Sequence, residues 1–323
     1  MNRVVRRVVA AMLLGVLVYG VAVLYAGINT MRASLASYAW STFGAALVLA
    51  TFNYLLRFLK WQYYLKKLKV EHVPPLDSFL VFLSGFVLTV TPGKVGEVFK
   101  SAVLSRTHGV PVAHTAPIVV AERLTDAIGV IVLIVIGSAA YAGGLDWALA
   151  GVVAVLCGMV LIVWERPMLA VFRWLERGRF ARLAPKLRHA YGSLRIVAGP
   201  AALLWPTLLS VIAWGAEGFA LFTILRGFSA GVPLGVAVFF YATATLAGAL
   251  VPVPGGLGVA EAMIQEQLVR LGGVDQGSAT AAMILIRFAT LWWAVLVGFL
   301  ALFVLRLRFP AELREGGLPA EQA

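Results

Sequence analysis

Apolar segments of membrane-crossing length, broken twice by a proline–glycine pair, constrain this chain more than any other feature. Such segments occupy about residues 8–27, 38–63, 113–140, 147–163, 201–225 and 279–305. A bilayer core about 30 Å thick takes roughly 20 helical residues to cross, and in lipid only a helix or a closed barrel satisfies its own backbone. No ten-residue alternating segments of the barrel kind occur, so the spans are helical. With 61% hydrophobic and 13% charged residues over 323 positions, the chain reads as an all-α polytopic membrane protein.

The first break is Thr91-Pro92-Gly93-Lys94-Val95-Gly96-Glu97. Proline lacks the N–H that a helix needs and glycine admits positive φ, so the helix stops there. The apolar pieces beside it, 78–90 and 95–104, are each too short to cross the bilayer, and a re-entrant hairpin over 77–108 fits them better. A second copy, Pro252-Val253-Pro254-Gly255-Gly256-Leu257-Gly258-Val259-Ala260-Glu261, repeats the recipe inside a hairpin over 233–271. Gly93 is followed about thirty residues later by Arg123, and Gly255 by Arg287. The expected organisation is one membrane domain, 1–323, with repeat halves at 38–140 and 200–306 joined by a basic amphipathic connector at 164–199. Pro92, Gly93 and Gly96 in one half, and Pro254, Gly255, Gly256 and Gly258 in the other, are the expected hinge or break residues.

Charge sets the topology. The formal net charge is +12, but the basic residues lie between apolar segments, which is the positive-inside signal and not a nucleic-acid footprint. Placing both termini, the Lys66–Lys69 loop and the connector in the cytoplasm collects most Lys and Arg on one side. The expectation is a multi-pass protein of a bacterial-type inner membrane, with about six spans plus two re-entrant hairpins. In that arrangement the halves are inverted, as in transporters whose broken helices meet near the midplane. The single cysteine, Cys157, excludes a disulfide framework. Neither metal-ligand spacing nor a nucleotide-binding motif is present, so no metal, cofactor or catalytic residue is expected.

Glu122 and Asp126 share a helix face, and Arg123 lies three residues from Asp126. An Arg123–Asp126 pair leaves Glu122 in need of a proton, water or a base, for which Lys94 and Arg287 are the candidates. Charges in a span are costly unless paired or placed in a cavity. Lys94, Glu97, Glu122, Arg123, Asp126, Glu261 and Arg287 are therefore the candidate substrate-binding set, with the two arginines able to clamp a phosphate. The competing reading is an ion-pair network that only locks helices. Arg57 and Lys60 end an apolar run among aromatic residues and read either as an interfacial anchor or as a headgroup contact. Glu217, inside the 201–225 span, reads either as a proton-coupling group or as a neutral structural one.

The Pro92-to-Glu97 motif, the Glu122-Arg123-x-x-Asp126 cluster and the Pro254-to-Glu261 motif together resemble the lysylphosphatidylglycerol synthase transmembrane-region family, also called flippase-like domain proteins. The resemblance runs from about residue 8 to 305. It implies a membrane domain that moves lipids between leaflets, with membrane lipids as partners. Large members add a soluble aminoacyltransferase domain. This chain leaves no room for one, so a stand-alone, non-enzymatic member is expected. The expected function is a translocase for an anionic or phosphate-bearing lipid. The alternative is a membrane-embedded transferase, or an accessory subunit of a lipid-modifying enzyme.

Overall fold

The computed structural model describes residues 13, 15, 17–24, 27–91, 96–138, 149, 152–153, 184–251 and 253–313. Pro92, Gly93, Lys94 and Pro252 lie outside them, as do the start of the first expected span, most of the fourth and the first part of the connector. Among the described residues the chain is helical and has no strand. Three helices are long and apolar enough to cross a membrane: Trp40–Lys67, Ala201–Gly227 and Gln276–Arg308.

In chain order the helices are α1 (Ile28–Ala36), α2 (Trp40–Lys67), α3 (Pro75–Ser84), α4 (Phe99–His108), α5 (Val112–Thr115) and α6 (Pro117–Ser138). After the connector come α7 (Ala184–Val197), α8 (Pro200–Gly227), α9 (Leu234–Leu250), α10 (Val259–Arg270), α11 (Gln276–Arg287) and α12 (Trp293–Arg308). A five-residue π-helical turn, Phe288–Trp292, joins α11 to α12 directly behind Arg287. The order of elements is the same on both sides of the connector: a long helix, a broken hairpin, then a long helix carrying an arginine.

Helix limits follow caps rather than the edges of apolar runs. The 38–63 run continues as helix to Lys67, and the exposed Lys66, Lys67 and Lys69 mark its end. The 113–140 run is interrupted, because Pro117 starts a new helix after the one-turn α5. The 279–305 run begins earlier, at Gln276, where the Asp275 carboxylate accepts the Ser278 N–H at 2.9 Å.

The two breaks satisfy their backbone differently. In the first hairpin α3 tightens into a 3₁₀ turn, Gly85–Leu88. The Thr91 hydroxyl there donates to the Leu88 carbonyl and accepts the Gly96 N–H, each at 2.7 Å. Gly96 sits so close that a Cβ would lie 2.6 Å from the Leu88 carbonyl oxygen. In the second hairpin Gly255, Gly256 and Gly258 take φ of 61°, 69° and 88°, values that side-chain-bearing residues rarely adopt. Broken backbone is tolerated in a membrane fold where it is buried in protein and repaired in this way.

Two large apolar clusters dominate the core of the described residues. One gathers Ile224, Phe240, Met283 and Ile286 around α8, α9 and α11, and the other gathers Trp61, Tyr64, Phe82 and Phe86 around α2 and the first hairpin. α8 lies along α2, α6 and α9, and α12 packs on α3. Small residues set the close crossings, as in membrane helix packing generally. At Gly298 of α12 a Cβ would stand 2.6 Å from the Val87 backbone nitrogen, whereas at Gly44 of α2 it would meet nothing within 4 Å. Gly298→Ala is therefore expected to destabilise the fold by roughly 1–3 kcal/mol through overpacking. Gly44→Ala is expected to be neutral or slightly stabilising. Apparent melting temperatures of the two purified variants in detergent check this contrast.

Candidate functional site

The inward face of α2 carries Arg57 and Lys60 one turn apart, and both are buried, at 6% and 0% exposure. They are not interfacial anchors. Each points toward acids supplied by other elements. One Arg57 amino group reaches both oxygens of Glu97, at 3.1 and 3.2 Å, and its guanidinium lies 5.0 Å from the centre of the Phe86 ring. Lys60 Nζ donates to Asp126 Oδ1 and to Ser210 Oγ, both at 2.7 Å, and Ser210 in turn donates to Asp126 at 3.0 Å. Lys60 is therefore a tie between α2, α6 and α8 rather than a headgroup contact.

Lys94 lies outside the described residues, and among those described Glu122 does not meet Arg287. Its partner is Lys100 of α4, at 2.6 Å, with the ammonium 4.7 Å from the Trp61 ring centre and 5.2 Å from that of Phe82. This pair is almost wholly buried and lies away from the cavity described below. Lys100 was legible in principle, since a lysine in an apolar run demands an acid. Nothing in the spacing said which one.

Arg123 differs from the other cations. Its Nη2 reaches Glu97 at 3.2 Å and Asp126 at 2.9 Å, the latter as an ion pair without hydrogen-bond alignment. Arg57 already engages Glu97, and Lys60 already engages Asp126. Among the described residues of this cluster, four cations (Arg57, Lys60, Lys100, Arg123) thus meet three carboxylates (Glu97, Glu122, Asp126). Arg123 is the one whose carboxylates are both also held by another cation. Its side chain is 24% exposed, against 8% or less for the other three, and its buried Nε lacks a hydrogen-bond partner among the described residues.

The second half holds the same glutamate–arginine pair at the same sequence distance. Glu97 and Arg123 are 26 residues apart, and so are Glu261 and Arg287. Arg287 Nε donates to Glu261 at 2.6 Å, and its Nη2 donates to the Gly255 carbonyl at 2.7 Å. Glu261 also accepts the Gly258 N–H at 2.8 Å. Here the ion pair repairs the broken backbone, a task that Thr91 performs in the first half. Glu217 accepts a hydrogen bond of 2.6 Å from the Tyr241 hydroxyl.

These groups converge on one cavity of about 600 Å³, within the range of small-ligand sites. Arg57, Arg123, Asp126, Glu217, Gly255, Gly256 and Arg287 line it together with Tyr54, Trp214 and Tyr241. Glu97 and Glu261 stand behind the arginines they bind. Gly96, Pro254 and Gly258 shape the two breaks, while Pro92, Gly93 and Lys94 are outside the described residues. The aromatic lining residues were not read from the sequence, because aromatic residues in an apolar helix carry no mark of which face meets a cavity. No metal-ligating group of three His, Cys, Asp or Glu occurs among the described residues.

The buried Lys100–Glu122 pair gives a test of the structural part of the network. Lys100→Met strands a carboxylate in an apolar surround and is expected to cost about 3–5 kcal/mol. The double variant Lys100→Met/Glu122→Leu should recover most of that loss, measured as the apparent melting temperature in detergent.

No curated protein matches the sequence. A family profile does, over residues 12–298, and its description is the lysylphosphatidylglycerol synthase TM region. That stretch contains both hairpins, both glutamate–arginine pairs and the whole cavity lining. The chain is a multi-pass, helical membrane protein and belongs to the lysylphosphatidylglycerol synthase transmembrane-region family.

Proposed function

We propose that this protein is a lipid translocase that passes an anionic or phosphate-bearing headgroup through the cavity while acyl chains remain in the bilayer. The observation that carries the reading is the under-satisfied Arg123. Both of its carboxylates are also held by other cations, its buried Nε lacks a hydrogen-bond partner among the described residues, and it is partly open to a cavity lined from both halves of the chain. A phosphate received by Arg123, whose buried Nε is open among the described residues, would leave Glu97 paired with Arg57, and arginine suits a phosphate because its planar fork donates in parallel. Membership of a lipid-associated family agrees with a lipid substrate.

In this reading the two hairpins are re-entrant and the halves are an inverted repeat. The equal Glu–Arg spacing and the equal order of elements support that view. The protein lies in a bacterial-type inner membrane with both termini cytoplasmic, as the distribution of basic residues favours. It carries lipid without transforming it, and a lipid-modifying enzyme would supply or consume its cargo. Glu217, held by Tyr241 on the cavity wall, is placed to respond to the charge of the headgroup.

Translocation of fluorescent anionic and zwitterionic phospholipids in proteoliposomes tests the reading. Losing a charge-assisted contact of about 1.5–3 kcal/mol should slow the anionic lipid roughly 10- to 100-fold in Arg123→Ala, with gel filtration unchanged. Arg123→Lys, which keeps a cation beside Glu97 and Asp126 but loses the planar fork, should remain slowed, whereas a purely structural lock would keep a rate near that of the wild type. Exchange no faster than in empty liposomes, for every lipid tried, would overturn the proposal.

A further inference from the structure

The cavity has a side wall made by two helices, α6 and α9, which pack against each other. They meet tightly at Gly137, where a Cβ would stand only 2.7 Å from the Phe239 Cβ. Towards its start, α6 turns one face to the cavity through Val120, Leu124, Ala127 and Val130, positions three and four apart on a single helix stripe. α9 answers with Leu246 and Leu250 near its end.

Exposure is greatest at the outer ends of these stripes. On α6 it runs from 3% at Val130 through 9% at Leu124 to 48% at Val120, and on α9 from 5% at Leu246 to 48% at Leu250. These side chains are all apolar. The lining is therefore an apolar wedge in exposure, shut where Gly137 meets Phe239 and most exposed at Val120 and Leu250. Arg123 stands beside it, between Val120 and Leu124 in sequence, on the same cavity.

We infer that this wedge is a binding site for the acyl chains of a lipid whose headgroup lies at Arg123, and that lipid enters the cavity sideways between α6 and α9. The inference rests on the proposed lipid translocation and adds the route. A soluble anion would need an aqueous mouth and would gain nothing from an apolar stripe running from the arginine to the exterior. An amphiphile matches both parts: its charged end meets the under-satisfied Arg123, and its tail lies against the apolar stripe. The continuity of the charged wall with the apolar mouth selects this occupant over a helix of another protein, which could not enter a wedge closed by a Gly137–Phe239 contact.

The test uses the full chain in proteoliposomes containing a phospholipid with a photoactivatable diazirine on one acyl chain, with labelled positions mapped by mass spectrometry. Lipid surrounding the protein reaches Val120 and Leu250 in any case, so the deciding positions are the buried Val130 and Leu246. Both are expected to be labelled in the wild type. Labelling there should fall at least fivefold in Val120→Trp/Leu250→Trp, which plugs the mouth. It should be unchanged in Leu204→Trp/Leu208→Trp, which adds the same bulk on the exposed face of α8. Absence of label at Val130 and Leu246 in the wild type would overturn the wedge without recourse to any variant. Translocation that continues at the wild-type rate through the plugged variant would also overturn it, and would leave lipid translocation standing. Labelling that responds to the plug, in vesicles showing no translocation, would confirm the wedge and refute the transport reading.

Discussion

Glu97 is one carboxylate shared by two arginines, and the arrangement around the cavity depends on that sharing. A charge in an apolar interior cannot stand alone, because desolvation costs far more than most single contacts return. Glu97 sits just past the first break, so its two bonds tie the tip of that hairpin to α2 through Arg57 and to α6 through Arg123. Asp126 then ties α6 to α2 through Lys60 and to α8 through Ser210. Lys100 and Glu122 fasten the second limb of the hairpin to α6. A chain of short polar contacts thus holds four elements at one level, and apolar packing alone would let them slide.

The halves use one device for two ends. Each places a glutamate after its break and an arginine 26 residues on. In the second half the pair is self-contained: Arg287 closes onto Glu261 and the freed Gly255 carbonyl, so its guanidinium is largely spent on holding the break. In the first half Thr91 repairs the break, and Arg123 is left to compete for carboxylates that other cations already hold. The cavity is consequently lopsided, with a fixed arginine on one wall and an under-satisfied one on the other. The π-helical turn behind Arg287 continues this asymmetry, since such turns replace the regular helical bonding at functional positions.

Much of this was legible in the residues. The helical, membrane-crossing character followed from helix chemistry, and the cost of charge in lipid drew attention to Arg123 and Arg287. The partners were not legible. Arg57 and Lys60 looked like a span-end anchor because they neighbour Trp61, Tyr63 and Tyr64, a composition that is also found when aromatic residues pack over buried cations. Glu122 looked exposed because its base, Lys100, comes from another element 22 residues away. Ser210 carried no signal, being one hydroxyl in a long apolar helix.

By itself the sequence determined that the chain is helical, that it lives in a membrane and that it breaks twice beside paired charges. Each of these is a local matter of hydrogen bonding and solvation, decided within a few turns. Only the tertiary structure decided which cation met which carboxylate, that Arg123 shares its carboxylates with other cations, and that Val120 and Leu250 line the cavity while staying exposed. Those outcomes depend on how closely helices approach at Gly129, Gly137 and Gly218. The approach is set by the shapes of facing surfaces that are distant in sequence.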